Sequence, residues 1–176
     1  MNAYREGVFN QINVLIQTIL SIVDKLEESD LEKRPTENKY SIGELLKHIA
    51  TICEADLLIS DEKTSEEMDK YYSIKLIKSK EEIKEELITN YNLLKERYTA
   101  YTENELLQKK TAYWGVTYTR YEWLLYILAH LYHHRGQLHG ILVHFYKQDP
   151  NILLFELIYR SLSQSFIIYS INRPYC

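Results

Sequence analysis

Apolar residues recur at the spacing of one helix face in four separate segments of the chain. The last three segments begin near Ser41, Ser79 and Thr119, and the fourth runs to about residue 146. The first covers about residues 4–28, and its apolar positions are Val8, Ile12, Leu15, Ile16, Ile19, Ile22, Val23 and Leu26. This periodicity predicts four amphipathic helices that each bury one face.

Each of the last three segments opens with a capping box, in which a Ser or Thr is followed three residues later by Glu. The hydroxyl and the carboxylate each satisfy a free backbone amide in the first turn, so the box marks a helix start. The three pairs are Ser41 with Glu44, Ser79 with Glu82, and Thr119 with Glu122.

The connections between the segments are long, and the longest cover residues 61–78 and 103–118. Simple bundles use connections of about 2–8 residues, whereas these have roughly 10–20. Long connections allow crossovers between helices and can also form the walls of a site. We therefore predict an all-α four-helix bundle with long crossover loops.

Composition agrees with one helical domain. Of the 176 residues, 45% are hydrophobic and 26% are charged, which is enough for one sizeable core and a solvated surface. The 5 Gly and 3 Pro residues are fewer than the turns of a β-rich fold would need.

Charge and cysteine content limit the partners and the compartment. A net charge of −4 without a basic stripe predicts that nucleic acid is not the partner. Two cysteines are too few for a disulfide framework, and the polar N-terminus lacks a signal peptide. Glu156, Arg160 and Gln164 interrupt the apolar C-terminal stretch, so we expect no membrane span and a cytoplasmic location.

Histidines provide the candidate chemistry. His130 and His134 are four residues apart, which on a helix places them on one face with Cβ atoms about 5–6 Å apart. His48 lies on the apolar stripe of the second helix, between Leu45 and Ile52. Because buried imidazoles need partners for their ring nitrogens, one divalent cation could satisfy all three histidines together.

The histidine pattern leaves a second interpretation open, because a histidine on an apolar face is commonly a hydrogen-bonded core residue. His133 and His139 point away from the pair, and His144 lies two to three turns further on, so they are not predicted as ligands. Cys53 is about 140° around the helix from His48 and is expected to be an inert buried thiol.

Two stretches carry a resemblance to a known family. Residues 130–137 read His-Leu-Tyr-His-His-Arg-Gly-Gln, and residues 40–49 read Tyr-Ser-Ile-Gly-Glu-Leu-Leu-Lys-His-Ile. They resemble the H-x-x-x-H-R-G-Q signature and the second-helix motif, aromatic-Ser-Ile-x-Glu-Leu-x-x-His, of the DinB/YfiT-like bacterial metalloproteins. The approach to the last helix, at residues 115–122, is similar as well, so the resemblance covers about residues 4–150.

The resemblance implies a bundle in up-down-down-up order over residues 1–150, often as a homodimer. It also implies one divalent ion per chain, with Zn or Ni as the expected metals. The ligands that it implies are His48, His130 and His134. Residues 151–176 match no part of the family pattern, and we expect an extension packed on the same domain, with room for an additional helix.

Three protein ligands leave one coordination position of a divalent ion open, since closed structural zinc sites usually have four. Characterised members of the resembled family bind a low-molecular-weight thiol such as bacillithiol and attack an electrophile. The resemblance therefore implies a metal-dependent thiol S-transferase that acts on such a thiol and a small electrophile. Two alternatives remain, namely a metal-dependent hydrolase with Glu54 or Asp56 as base, and a non-catalytic stress-response protein whose metal stabilises the bundle.

Residues beside the histidine pair are candidates for supporting roles. Gln137 shares the ligand face and could hydrogen-bond a ligand or the substrate, whereas Arg135 is expected to pair with a carboxylate on another helix. Gly136 predicts the close approach of a neighbouring helix. Tyr113 and Trp114 are candidates for the wall of the pocket, with ordinary loop packing as the alternative.

Overall fold

The computed structural model describes residues 2–156, which form six helices and one small hairpin. The helices are α1 (Ala3–Asp24), α2 (Ile42–Ser60), α3 (Ser65–Ile74), α4 (Lys80–Ala100), α5 (Glu103–Leu106) and α6 (Arg120–Gly140). The hairpin strands are β1 (Lys109–Thr111) and β2 (Thr117–Thr119). A 3-10 turn at Glu28–Glu32 follows α1, and a π-helical turn at Ile141–Phe145 continues α6.

The long helices α1, α2, α4 and α6 form the bundle, in which α1 lies parallel to α6. Tyr132 donates a hydrogen bond to Gln11 at 3.0 Å, and Arg135 donates one to Thr18 at 3.1 Å. Residue numbers on α1 and α6 therefore rise in the same direction along the contact.

Helices α2 and α4 are also parallel to each other. Asn90 donates to the Ala50 carbonyl at 3.0 Å, and Arg97 donates to Asp61 at 3.0 Å just beyond the end of α2. On the other side of the bundle α2 runs antiparallel to α6, since its residue 48 lies beside residue 134 and its residue 56 beside residue 130. The order is therefore up-down-down-up, as predicted.

The predicted helix starts are confirmed. Ser41 accepts from the Glu44 amide at 3.1 Å, while the Glu44 carboxylate accepts from the Ser41 amide at 2.7 Å. The same reciprocal pair is formed at Ser79 before α4 and at Thr119 before α6.

The two stretches predicted as loops contain more structure than expected. Residues 61–78 contain α3, and residues 103–118 contain α5 and most of the hairpin. Both helices begin at capping boxes of the same kind, Thr64 with Glu67 and Thr102 with Glu105. Their apolar periodicity is too short to identify from the pattern alone.

The hairpin sits against the start of α6. Its strands pair Lys109 with Thr119 and Thr111 with Thr117, and Gly115 adopts a φ of 96° in the turn. The indole Nε1 of Trp123 on α6 donates to the Lys110 carbonyl at 3.1 Å. This contact holds strand β1 of the hairpin against α6, the helix that carries His130 and His134.

All eight apolar positions predicted for the first helix are buried, each at most 7% exposed. By length and composition alone α1 could cross a membrane. In this fold its apolar face instead forms one hydrophobic core with α2, α4 and α6.

The segment after Pro150 lies on the bundle as far as it is described. Lys25 donates to the Pro150 carbonyl, Arg135 donates to the Leu154 carbonyl, and the Phe155 ring stacks on Tyr132. Residues 151–156 form no helix. The additional helix predicted within 151–176 could occur only beyond residue 156, outside the described residues.

Candidate metal centre

Three half-buried imidazoles meet where α2 lies against α6. The Nε2 atom of His48 is 3.3 Å from Nε2 of His130 and 3.0 Å from Nε2 of His134. His130 and His134 are one helical turn apart on α6, and the antiparallel α2 presents His48 to both of them. The pattern-based prediction that these three side chains lie together is met by the geometry.

The spacing of the nitrogens fits a shared cation. Two nitrogens bound to one ion at about 2.0–2.1 Å lie about 3.3 Å apart in tetrahedral geometry and about 2.9 Å apart at a right angle. The observed 3.0 and 3.3 Å fall in that interval. Within residues 2–156, no fourth His, Cys, Asp or Glu joins this group, which leaves a coordination position for an exogenous ligand.

Two of the rings are oriented by hydrogen bonds on their other nitrogen. Nδ1 of His130 is 2.8 Å from a carboxylate oxygen of Asp56, and Nδ1 of His134 is 2.9 Å from the amide oxygen of Gln137. Since both partners are acceptors, each Nδ1 carries the proton and each Nε2 directs a lone pair at the centre. Without a cation, His48 could place one proton on its Nε2, and this proton would serve the lone pair of only one of the other two rings. A cation satisfies the lone pairs of all three Nε2 atoms at once.

The environment keeps the rings of His48 and His134 in the neutral form that binds metals. Burial, reinforced by the neighbouring His134 and His130, lowers the pKa of His48 to about 4. Burial also lowers the pKa of His134, although its hydrogen bond with Gln137 acts in the opposite direction. Little protonation therefore competes with metal binding by these two rings at neutral pH.

Asp56 is the residue of the site whose role was not predicted. Its carboxylate is buried, which raises its pKa, while the hydrogen bond with His130 opposes that rise. A positive ion on the far side of the imidazole would stabilise the charged form, as in carboxylate–histidine–zinc triads. The sequence feature that could have indicated this role is an acidic residue, Asp56, between the apolar residues Ala55 and Leu57.

Neither carboxylate suggested as a hydrolytic base is free for that role. Asp56 bonds to His130 on the ring edge that faces away from the centre. Glu54 accepts hydrogen bonds from Tyr71 at 2.8 Å and from Lys75 at 2.7 Å. This arrangement counts against the hydrolase alternative.

We expect Asp56→Asn to weaken metal binding by about 10–100-fold, because the neutral amide no longer raises the basicity of His130. Competition with a chromogenic chelator measures the dissociation constant. Asp69→Asn, at an exposed position on α3, is the matched control. Unchanged affinity in the Asp56 variant would show that the carboxylate does not support the ligand.

The two candidates beside the histidine pair, Gln137 and Arg135, have different surroundings. Gln137 hydrogen-bonds the proposed ligand His134, which is one of the two contacts suggested for it. Within residues 2–156 Arg135 does not pair with the carboxylate that was expected, and its buried guanidinium instead bonds to Thr18 at 3.1 Å and to the Leu154 carbonyl. The guanidinium also lies over the rings of Tyr132 and Phe155, at 4.8 and 5.0 Å from their centroids. Arg135 therefore anchors the segment after Pro150.

Two more predictions about local packing have opposite outcomes. No helix of the described part of the chain approaches Gly136, since a Cβ atom there would meet nothing within 4 Å. Cys53 is a buried free thiol whose pKa is raised by burial, which matches the inert thiol that was expected.

Aromatic side chains extend from the histidines to the hairpin. Tyr126 lies 5.7 Å from the His130 ring and 5.2 Å from Trp123, centroid to centroid. Trp114 lies 6.4 Å from Trp123 and 4.7 Å from Tyr113. The predicted wall residues Tyr113 and Trp114 therefore belong to a ring system that reaches the site through Tyr126, which was not predicted.

Comparisons with known proteins agree with this architecture. The family model of the DinB superfamily matches residues 11–138. A crystal structure from Exiguobacterium sibiricum 255-15, described as a member of the DinB family, aligns with a TM-score of 0.79 and 30% identity. That alignment covers 88% of this chain and 99% of the other.

A second crystal structure is less similar in sequence. A DinB-like protein from Bacillus cereus ATCC 10987 aligns with a TM-score of 0.63 and 16% identity over 78% of this chain and 89% of that one, which supports the fold alone. Among curated proteins there is no match to this chain. The match of the family model over residues 11–138, together with the 30% identical structure, shows that the chain belongs to the DinB superfamily.

Proposed function

We propose that this protein binds one divalent metal ion, Zn or Ni, and transfers the sulfur of a low-molecular-weight thiol to a small electrophile. The observation that carries the proposal is the convergence of three Nε2 atoms at 3.0 and 3.3 Å with no fourth protein ligand within residues 2–156. His48, His130 and His134 are the proposed ligands. Asp56 and Gln137 orient two of them.

A divalent ion at this position would lower the pKa of a coordinating thiol, so that the thiol reacts as its thiolate. In the reaction the sulfur forms a bond to the electrophilic carbon, and the leaving group departs with the electron pair of its own bond. The thiol proton is released to solvent before the transfer.

Ionisation of the thiol is a small part of the expected acceleration. At pH 7 a thiol of pKa about 8.5 is about 3% ionised, and lowering its pKa to about 7 makes it about half ionised. The accompanying loss of nucleophilicity reduces this gain to roughly threefold. Most of the rate must therefore come from holding the two reactants together in the correct orientation.

A cavity beside the centre is suited to the body of the thiol. Its volume is about 220 Å³, and it shares Tyr40 and Gln137 with the surroundings of the histidines. Lys39 also lines it and could bind a carboxylate of a thiol such as bacillithiol. The other lining residues are Pro35, Thr36, Leu45, Ile141 and Phe145.

The proposed assembly and compartment follow the family resemblance. We propose a homodimer that works in the cytoplasm, where low-molecular-weight thiols are kept reduced. We propose no role for nucleic acid or for a membrane.

Assay of the metal-loaded protein tests the proposed activity. A panel of bacillithiol, glutathione, cysteine and coenzyme A is combined with 1-chloro-2,4-dinitrobenzene, and the coloured thioether is measured by absorbance. At least one thiol should react about tenfold or more faster than with metal-free protein, which is above the threefold expected from ionisation alone.

The matched variants separate the metal centre from other histidines. His134→Ala should react at the metal-free rate, whereas His144→Ala, at an exposed position beyond the site, should react like the wild type. If no thiol in the panel reacts faster than with the metal-free control, the proposed activity is wrong.

A further inference from the structure

Four exposed aromatic side chains pack around the buried Trp123 on a surface that reaches the metal centre, and a fifth lies on α3. This surface, the aromatic wall, consists of Tyr72, Tyr113, Trp114, Tyr118 and Tyr126. The Tyr118 ring lies 6.5 Å from the Tyr126 ring, which in turn lies 5.7 Å from His130. The wall is thus continuous with a proposed metal ligand.

The wall has a rigid base. Trp123 is fully buried beneath it, at 5.4 Å from Tyr118, 5.2 Å from Tyr126 and 6.4 Å from Trp114. Its indole is fixed to the hairpin by the hydrogen bond to the Lys110 carbonyl. The three rings that pack on it are therefore held in place before any ligand binds.

Helix α3 contributes a fifth exposed ring, Tyr72. Its phenol is affected electrostatically by the nearby Asp56, Tyr113, Tyr40 and Tyr126. Burial, followed by these neighbours, raises the pKa of Tyr72 to about 12. The phenol remains protonated at neutral pH and can donate a hydrogen bond.

The wall residues remain between 37% and 49% exposed. Contiguous exposed aromatic surface is uncommon on a soluble domain and marks a place where a ligand or partner is bound. Because this surface adjoins the metal centre, a molecule stacked on it would lie next to a thiol held there.

We infer that the aromatic wall is the acceptor subsite and that it selects a flat aromatic electrophile; this inference rests on the proposed thiol transfer. The rings stack on the acceptor in the offset or edge-to-face geometries that aromatic pairs prefer. The nucleophilic sulfur and the electrophilic carbon are thereby brought together at the end of the wall formed by Tyr126.

Selectivity between two electrophiles tests the inference. The ratio of kcat/KM for 1-chloro-2,4-dinitrobenzene to that for the non-aromatic iodoacetamide should fall about tenfold in Tyr126→Leu and in Tyr113→Leu. Tyr4→Leu, at an exposed tyrosine on α1 whose ring is not among those packed in the wall, should leave the ratio as in the wild type. A ratio that stays within about twofold of wild type in both wall variants would overturn the inference.

Direct binding gives a readout that does not depend on turnover. Calorimetry of metal-loaded protein with unreactive 1,3-dinitrobenzene should give a dissociation constant that rises about tenfold in Tyr113→Leu. A dissociation constant that is the same in Tyr113→Leu as in the wild type contradicts the assignment of an aromatic acceptor to the wall.

The two experiments also distinguish failure of the proposed thiol transfer from failure of the inference about the aromatic wall. Binding of 1,3-dinitrobenzene that depends on Tyr113, without turnover of any thiol, would refute the proposed function but not the assignment of an aromatic ligand to the wall. Turnover with an unchanged selectivity ratio would refute only the assignment of the aromatic wall as the acceptor subsite. Absence of dinitrobenzene binding, with dimerisation that is lost in Tyr113→Asp, would make the wall a dimer interface and overturn the inference.

Discussion

A His134→Ala variant should be purified with less than about a tenth of the metal found in the wild-type protein. The substitution removes one of three nitrogen donors and leaves two, from two different helices. Loss of a group that merely orients a ligand costs about 10–100-fold in metal affinity, and loss of the ligand itself should exceed that. Elemental analysis of untagged protein, refolded or expressed with added Zn or Ni, measures the metal per chain.

His144→Ala is the matched control, because this exposed histidine lies on the π-helical turn outside the centre. It should retain the metal content of the wild type. Equal metal in the His134 and wild-type proteins would refute the assignment of that ligand.

Thermal unfolding gives a second readout of the same substitution. Free metal at about one hundred times its dissociation constant stabilises a one-site protein by about 2.7 kcal/mol. For a domain of this size that corresponds to a Tm rise of roughly 5–11 °C. The rise should be seen in the wild type and His144→Ala, and it should be absent in His134→Ala.

Trp123→Ala should lower the free energy of unfolding by about 3–5 kcal/mol. The indole is fully buried in a small core with Ala55, Ile59, Met68, Tyr71 and Ala112, and it joins α6 to the hairpin. Its removal leaves a cavity and removes the hydrogen bond between the indole and the Lys110 carbonyl. Urea denaturation followed by circular dichroism measures the loss.

Trp114→Ala is the control for this substitution, because Trp114 is 46% exposed and packs on the surface of the same cluster. Its cost should be below about 1 kcal/mol. Similar losses in the two variants would mean that burial of Trp123 is not what stabilises this end of the bundle.

Most of the bundle could be predicted from the sequence, because its long helices are defined by local signals. The apolar stripe of α1 and the boxes at Ser41, Ser79 and Thr119 need no tertiary information. The boxes at Thr64 and Thr102 are equally regular, but the helices after them are too short for a periodic stripe. Those two helices are defined by the surfaces on which they pack.

The candidate site was only partly predictable. The pair at His130 and His134 follows from helical spacing, and His48 follows from its position on a buried stripe. The hydrogen bond from His130 to Asp56 depends on how α2 is rotated against α6, which the pattern of either helix alone does not determine. The partners of Arg135 depend on the path of the chain after Pro150, which no local signal describes.

The proposed ligands His48 and His130 are 82 residues apart in the chain. Between them lie α3, α4, α5 and the hairpin, so the centre can exist only after nearly the whole bundle has been synthesised and has closed that long loop. Loop-closure entropy makes such distant pairings late events in folding. A metal ion would therefore enter an assembled bundle and fasten α6 to α2, acting as a reversible cross-link rather than as a nucleus for folding.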